Sequence, residues 1–444
     1  MISSFVKEAI TNLETSNEKI KLVKLEDKDI IADLHIHSRF SRATSKNLDI
    51  VNLVKWARVK GINLLGTGDI SHDKWLEEIR AKLVEKNGIY WFQDEVGKFP
   101  FILTGEISLV FTSAGKGRRV HLVYLVPSLD VNSKINDYLS SKGRRDYDGR
   151  PIFKISCEDF VRDLKAINKD IEIIPAHIWT PWFGLFGSES GFDSLKEAFG
   201  SQVDNVHAIE TGMSSDPEMN WKIAELGTKA IVSFSDSHSF WPWRLGREAT
   251  IFFSNENNEI TYDSIIQQII NRTFKATIET EPAYGKYHYD GHRLCNFSCS
   301  PKKTKEIGGI CPICKKELVI GVENRVEELN NFNGIPSNAK MFYKILPLHE
   351  LIAFSIGSKV ESKKTWKIYN ELIEKFGNEL NILLKIDKNV LMKGMIDNEK
   401  LLDLIIDNRV ANLKVEPGYD GTYGKLVAKE TNSRLDFYNP LKKT

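Results

Sequence analysis

The chain has 444 residues, 41% of them hydrophobic and 27% charged, with 61 Lys and Arg against 60 Asp and Glu. That length exceeds what one hydrophobic core serves and predicts two or three domains, and the mixed composition excludes disorder, collagen or coiled coil as a description of the whole. A net charge of +1 neither favours nor excludes a polyanionic partner, because a local basic stripe can hide in a neutral total. The N-terminus MISSFVKEAITNLE is amphipathic and lacks the apolar centre of a signal peptide, and no run of roughly 18 apolar residues offers a membrane span. A cytoplasmic address and no membrane partner are expected. From Ile30 to Lys275 short apolar runs alternate with helical patterns. The runs are Ile31–Ile36, Ile62–Gly66, Phe101–Ile107, His121–Val126, Ile171–Ala176, Val206–Glu210 and Ala230–Phe234. Amphipathic stretches such as Leu48–Lys60, Lys74–Glu85, Cys157–Ile167 and Pro217–Leu226 separate most of them. The alternation predicts a parallel sheet covered by helices, on the scale of a β/α barrel, with an open doubly wound sheet as the alternative. Residues 277–321 break the rhythm, and from Val322 the pattern turns helical, notably at Lys364–Phe376 and Glu399–Asn408.

Histidines and carboxylates gather at the ends of these runs. His35 and His37 are two apart and share a strand face. Asp69 and His72 follow the second run, Glu106 ends the third, His121 begins the fourth, His177 follows the fifth, and Asp236 and His238 follow the seventh. A lone histidine near a strand end is more often a structural hydrogen-bonder than a ligand, but ends of parallel strands converge on one face. Nine such groups together would be costly without cations. The donor types suit Zn, Mn or Fe better than Ca, and nine are too many for one ion.

Asp33-Leu34-His35-Ile36-His37-Ser38 resembles the first motif of the polymerase and histidinol phosphatase (PHP) superfamily, and Asp69, Glu106 with His121, His177, and Asp236-Ser237-His238 resemble its later motifs in order. The second motif departs: Gly68-Asp69-Ile70-Ser71-His72 stands where Thr-Asp-His is usual, so His72 is displaced. Three further stretches, Ser38–Lys46, Gly66–Asp69 and Ala176–Trp182, join a four-cysteine module and a Gly-Tyr-Asp-Gly tail in resembling the endonuclease Q family of DNA-repair enzymes. The resemblance implies a distorted seven-stranded barrel (1–280) with two or three divalent catalytic ions (Zn, Mn or Mg), a zinc-binding module (281–321), and a helical C-terminal domain (322–444) contacting DNA. It implies incision 5′ to uracil, hypoxanthine, xanthine and abasic sites, with DNA as partner and a replication or repair clamp as a further candidate. A small-molecule phosphatase of the same barrel family and a non-catalytic zinc-ribbon DNA-binding protein are the competing readings.

Five cysteines are too few and too odd for a disulfide framework. Cys295-x₃-Cys299 and Cys311-x₂-Cys314 have the spacing of one structural zinc site, with His288 and His292 as spare donors. Cys157 reads as a small apolar residue. Arg39, Arg42 and Lys46 follow the first metal motif and could orient a phosphodiester. Gly115–Arg119 and Lys142–Arg145 are basic turns, either hairpin tips or backbone contacts. Trp179 and Trp182 after His177, and Trp241 and Trp243 after His238, are candidate walls for an extruded base. Tyr419 and Lys425 lie in a Gly-rich tail whose backbone could approach a phosphate.

Overall fold

The computed structural model describes residues 25–255, 259–394 and 398–428, so the N-terminal amphipathic stretch and the end of the tail lie outside the described residues. Its strands are β1 (Ile30–Asp33), β2 (Leu64–Gly66), β3 (Leu83–Lys86), β4 (Ile89–Asp94), β5 (Gly97–Ser113), β6 (Lys116–Val126), β7 (Ile152–Phe153), β8 (Glu172–Pro175), β9 (Ala208–Glu210), β10 (Ala230–Val232), β11 (Ala249–Phe252), β12 (Ala276–Glu279), β13 (Asp290–His292), β14 (Phe297–Cys299) and β15 (Met341–Lys344). Seven of them form a ring. β1 pairs with β2, β2 with β5, β5 with β6, and β6 with β8. The parallel pair β9–β10 completes it, because Ile178 N donates to Glu210 O beyond β8 and His37 N donates to Ser237 O beyond β1. All seven strands contribute to one buried cluster, with Ala32, Leu64, Ile102, Val123, Ile174, Ala208 and Val232 among its members. Alternation sends Ile31, Leu103, Leu122 and Tyr124 into a second, larger cluster beneath the helices.

The parallel sheet read from the alternation holds for β1–β2, β2–β5 and β9–β10, but not for β5–β6 or β6–β8. β5 and β6 are an antiparallel hairpin paired from Leu103–Val126 to Ser113–Lys116. Ala114 and Gly115 both have positive φ (49° and 76°), which is the turn that matches strand twist with two residues, so Gly115–Arg119 is a hairpin tip. The hairpin reverses β6 and leaves His121 inside a strand, opposite Ser108. Lys142–Arg145 instead ends the helix Leu129–Lys142.

Helices cover the ring as their apolar spacing dictates. In Ile50–Lys60, Ile50, Leu53, Val54 and Ala57 are buried, the Asp49 carboxylate caps Asn52 N, and Gly61 (φ 100°) ends the helix. Outside the ring, β11 and β12 extend the sheet beyond β1, and β15 adds to β12 in parallel. The helices Leu348–Ser355, Lys363–Phe376, Lys388–Gly394 and Glu399–Arg409 follow β15. No helix among the described residues is long and apolar enough to cross a membrane.

The helical part is pinned to the barrel by aromatic packing around His349, which is fully buried with no hydrogen-bond partner on either nitrogen. Its ring centroid lies 3.8 Å from Tyr369, 4.5 Å from Trp366 and 4.8 Å from Trp243. Burial, with a smaller contribution from Lys60, pushes its pKa down to about 3. The unfolded chain takes up this proton near the ordinary histidine value of about 6.5, and the folded chain does not until about 3. Stability should therefore fall as pH drops through that window. Thermal unfolding at pH 7.5 and pH 5 measures it, and His349→Leu should flatten the difference.

Candidate metal centres and nucleic-acid contacts

Two groups of donors meet at one mouth of the barrel. His35, His37, Glu106 and Asp236 place one ligand atom each within 4.8 Å of one another, as do Glu106, His121 and His177. Glu106 belongs to both. Its Oε2 lies 3.3 Å from His35 Nε2 and 3.1 Å from His37 Nε2, and its Oε1 lies 2.8 Å from His121 Nδ1 and 3.6 Å from His177 Nε2. Asp236 Oδ1 is 3.1 Å from His37 Nε2. Each strand delivers its donor by alternation or at its end: His35 and His37 just beyond β1, Glu106 and His121 diagonal to each other on the two strands of the hairpin, and His177 and Asp236 just past β8 and β10.

The site stores both charge and backbone strain. Asp69, His177 and Asp236 all have left-handed φ (49°, 31° and 46°), a conformation costing a non-glycine residue about 1–3 kcal/mol and concentrated at functional sites. Burial disfavours a charged His35, yet Glu210 and Glu106 outweigh it and hold its pKa well above the histidine range. Burial likewise opposes the Glu106 carboxylate, but Arg150 and His121 keep it well below the usual range. His35 Nε2 and Glu106 Oε1 are buried without a hydrogen-bond partner of good geometry. Orphaned imidazole nitrogen and carboxylate oxygen aimed into one space are the donor set that divalent cations satisfy, so the residues fit the ions that the motifs imply.

The other sequence candidates lie around these groups. Asp69 supports His37: its Oδ1 is 2.9 Å from His37 Nδ1, and its Oδ2 accepts from Ser38 N, Ser38 Oγ and Ser41 Oγ. The close approach of this loop to β1 depends on Gly68 (φ 63°), where a Cβ would stand 2.2 Å from Ile36 O. His72 is not brought to the site. The displaced motif puts it on the N-cap of the helix Asp73–Lys82, with its ring stacked on Phe40 at 4.4 Å. His238 is adjacent, its ring 4.4 Å from that of His37 and its Nδ1 donating to Asp236 O.

Three participants stand outside the ligand candidates read from sequence, although Asp33 opens the first motif. Glu210, at the end of β9, holds His35 Nδ1 at 2.8 Å and accepts from His177 N, orienting two candidate ligands at once. Arg150 Nη1 donates to Glu106 Oε2 at 3.1 Å. Asp33 accepts from Ser235 N, Ser235 Oγ and Gly246 N and so fixes the segment that carries Asp236; burial raises its pKa to about 6. Glu210 shared the strand-end signal of the others, whereas Arg150 sits in a loop with no pattern to mark it.

The candidate DNA contacts divide. Trp179 is fully buried and its Nε1 donates to Asn220 Oδ1, so it is core and not a pocket wall. Trp243 is 7% exposed and stacks on Trp241, which is 36% exposed. Trp182 is half-buried beside Tyr287, with ring centroids 5.8 Å apart. Arg39 donates to Glu78, so its charge is matched within the protein. Arg42 is exposed and paired with Asp148 at 3.1 Å, and Lys46 is exposed. Tyr419 Oη donates to Asn296 Oδ1, and Lys425 is exposed.

In the cysteine module the fourth donor differs from expectation. His292, Cys295, Cys311 and Cys314 converge, with His292 Nδ1 3.1 Å from Cys295 Sγ and 3.3 Å from Cys314 Sγ. Cys299 stands outside, its Sγ 3.2 Å from Thr304 Oγ1. The hairpin explains this. Its turn at Arg293–Asn296 sets His292 next to Cys295, whereas Cys299 pairs with Asp290, two residues or about 7 Å further down the ladder. A zinc ion held by these four donors should be lost from Cys311→Ser and kept by Cys299→Ser, as read by zinc analysis of the purified variants.

Fold and site together define an α/β protein of the PHP type. The MJ0043 C-terminal domain family matches residues 347–409. The MJ0043 protein of Methanocaldococcus jannaschii is 30% identical over 290 residues, 65% of this chain but only 35% of that protein, so the chain spans about a third of its length. YqxK of Bacillus subtilis is 25% identical over 415 residues, 90% of this chain and 99% of that one. Among solved structures, the lesion-specific endonuclease PfuEndoQ from Pyrococcus furiosus superposes with a TM-score of 0.80 at 27% identity, covering 94% of this chain and all of that one. Endonuclease Q in complex with a 27-mer duplex substrate carrying an abasic lesion at the active site gives 0.81 at 28% identity, covering 93% and 100%. The chain is an endonuclease Q-like protein.

Proposed function

We propose that this chain is a metal-dependent endodeoxyribonuclease that hydrolyses the phosphodiester 5′ to deaminated bases (uracil, hypoxanthine, xanthine) and to abasic sites. The observation that carries the reading is the pair of donor groups sharing Glu106, at the mouth of a barrel in a chain that follows endonuclease Q over 93–94% of its length. His35, His37, Glu106 and Asp236 would hold one ion, and Glu106, His121 and His177 a second. Bound there, divalent ions supply an activated water and neutralise charge on the phosphoryl oxygens. Asp69 and Glu210 keep the imidazoles in the ligating orientation. Arg150, partly exposed beside Glu106, presents a fixed cation to a non-bridging phosphate oxygen. The recessed site requires the lesion to leave the helix, which costs least where pairing is already weak or a base is missing. Trp182 and Trp241, the candidate aromatics that retain exposure, are the walls to test.

The experiment is a gel assay of duplexes carrying one uracil, hypoxanthine, xanthine or abasic site, beside undamaged duplex and a chromogenic phosphomonoester. Incision 5′ to the lesion, suppressed by chelation, is the expected result. Turnover of the monoester with intact lesion duplexes would make the protein a small-molecule phosphatase and overturn the proposal.

A further inference from the structure

Beside the barrel mouth, side chains from three distant parts of the chain meet around one phenol. Arg244 and Arg247 come from the segment after Asp236, Lys286 from the start of the cysteine module, and Tyr423 from the Gly-rich tail. Arg244 Nη1 donates to Tyr423 Oη at 3.1 Å, and its guanidinium lies 5.1 Å from the ring centroid. Lys286 Nζ lies 4.7 Å from the same centroid. Arg247 Nη2 donates to Ser235 O, one residue from Asp236, which ties this cluster to the candidate metal centre.

The cluster is short of negative charge. Among the described residues no carboxylate lies within 4.0 Å of Arg244, Arg247 or Lys286. Glu248 and Glu350 feel these arginines from further off, and burial pushes both of their carboxyls up. Burial disfavours a Tyr423 phenolate, yet Arg247, Arg244 and Lys286 together outweigh it and hold its pKa below the ordinary tyrosine range. Lys286 is exposed and Arg244 and Tyr423 are half-buried, so an outside anion can reach them, while Arg247, with Nε and Nη1 buried, lends its charge from behind.

The tail is built to present this phenol. A Cβ on Gly418 would stand 2.0 Å from Gly285 O, and one on Gly424 would stand 2.2 Å from Ala283 O. Only glycine lets the tail lie flat against Ala283–Gly285, which brings Tyr423 among the three cations. Gly418 and Gly424 are thereby accounted for by contact with the chain itself and Gly421 by its left-handed φ of 84°, and the phenol and cations are what remains for a ligand.

We propose that Arg244, Lys286 and Tyr423 Oη, backed by the charge of buried Arg247, form a second phosphate subsite, which takes a backbone phosphate of the cut strand next to the scissile one. This rests on the nuclease reading above. Tyr423 Oη accepts from Arg244 and donates its own proton to a phosphate oxygen, while the cations supply charge. The subsite sets the register of the strand, so that the bond beside the lesion, and not its neighbour, reaches Glu106 and Asp236.

The test uses the full-length holoenzyme and abasic duplexes in which single phosphates flanking the cut are replaced by neutral methylphosphonate. Wild-type incision should fall about tenfold at one flanking position. Lys286→Gln, an exposed change, and Arg244→Gln should each weaken binding of the all-phosphate duplex about five- to tenfold and lower the salt slope by about one phosphate contact. Neither variant should lose anything further at the sensitive position. Variants that bind with wild-type affinity and salt slope, or whose losses are the same at every position, would overturn the subsite. If wild type incises no lesion duplex at all, the nuclease reading itself fails; a wild type that incises beside indifferent variants sinks the subsite alone.

Discussion

Glu106→Gln should lower incision at abasic sites by roughly 10³-fold or more while leaving duplex affinity close to wild type. Glu106 is the carboxylate common to both donor groups, so one substitution removes a charged ligand from each. Glutamine keeps the volume, and its amide nitrogen offers a donor to imidazoles that need an acceptor or a cation. The change also leaves Arg150, most of it buried, without the carboxylate 3.1 Å from its Nη1. The basic surfaces available to DNA lie elsewhere, so binding and chemistry should separate. Asp236→Asn should reduce activity less, because Asp236 belongs to one group only. Metal analysis and single-turnover incision of the same preparations test this. A Glu106→Gln protein with full metal content and more than a tenth of wild-type activity would remove Glu106 from its assigned place.

Glu379→Ala should destabilise the protein by about 3–5 kcal/mol, the usual result of stripping one partner from a buried ion pair. Lys60 ends the helix Ile50–Lys60, and its Nζ lies 2.6 Å from Glu379 Oε1 and 2.8 Å from Pro242 O with almost no exposure. Glu379 also accepts from Leu348 N and from Tyr369 Oη. One carboxylate thus ties the barrel to two helices of the C-terminal part. Burial lowers the Lys60 pKa and Glu379 works against that, so removing the carboxylate exposes the full desolvation cost. The double variant Lys60→Met with Glu379→Leu should recover most of the loss, since an apolar pair leaves no buried charge. Urea unfolding of the single and double variants decides it. A double variant no more stable than Glu379→Ala would show that the pair's hydrogen bonds, and not its charge, hold the parts together.

The sequence made the ring of strands legible because period-two apolar runs bounded by histidine and carboxylate are a strong local signal. His35 and His37 could be paired from spacing alone, and Asp236 stood out beside a strand end. What was illegible depended on chain reversals or long-range packing. The Ala114–Gly115 turn reverses β6, and no run of apolar residues reports strand direction. The choice of His292 over Cys299 depends on where the hairpin turns, which a count of thiols cannot show. Trp179 and Trp182 are three residues apart in one aromatic stretch, yet one is core and the other half-buried, because Asn220, 41 residues away, takes the Trp179 indole N–H. Arg150 is recruited by a carboxylate 44 residues earlier and leaves no periodic trace.

The register of β1 has a consequence for how the chain is made. Ile31 pairs with Ile251, 220 residues later. At ribosomal speeds of about 5–20 residues per second, that partner emerges roughly ten to forty seconds after β1 does. The β5–β6 hairpin and the Ile50–Lys60 helix need only near neighbours and can form meanwhile. β1, which leads into His35 and His37, spends the interval with one edge unpaired. β12 waits in turn for β15, whose Tyr343 pairs with Ile278 across the whole cysteine module. A nascent chain released before residue 344 would therefore carry an open strand edge of the kind that recruits other chains. The candidate donor groups at the barrel mouth come from segments 201 residues apart, so they cannot gather until Asp236 has followed His35 out of the ribosome.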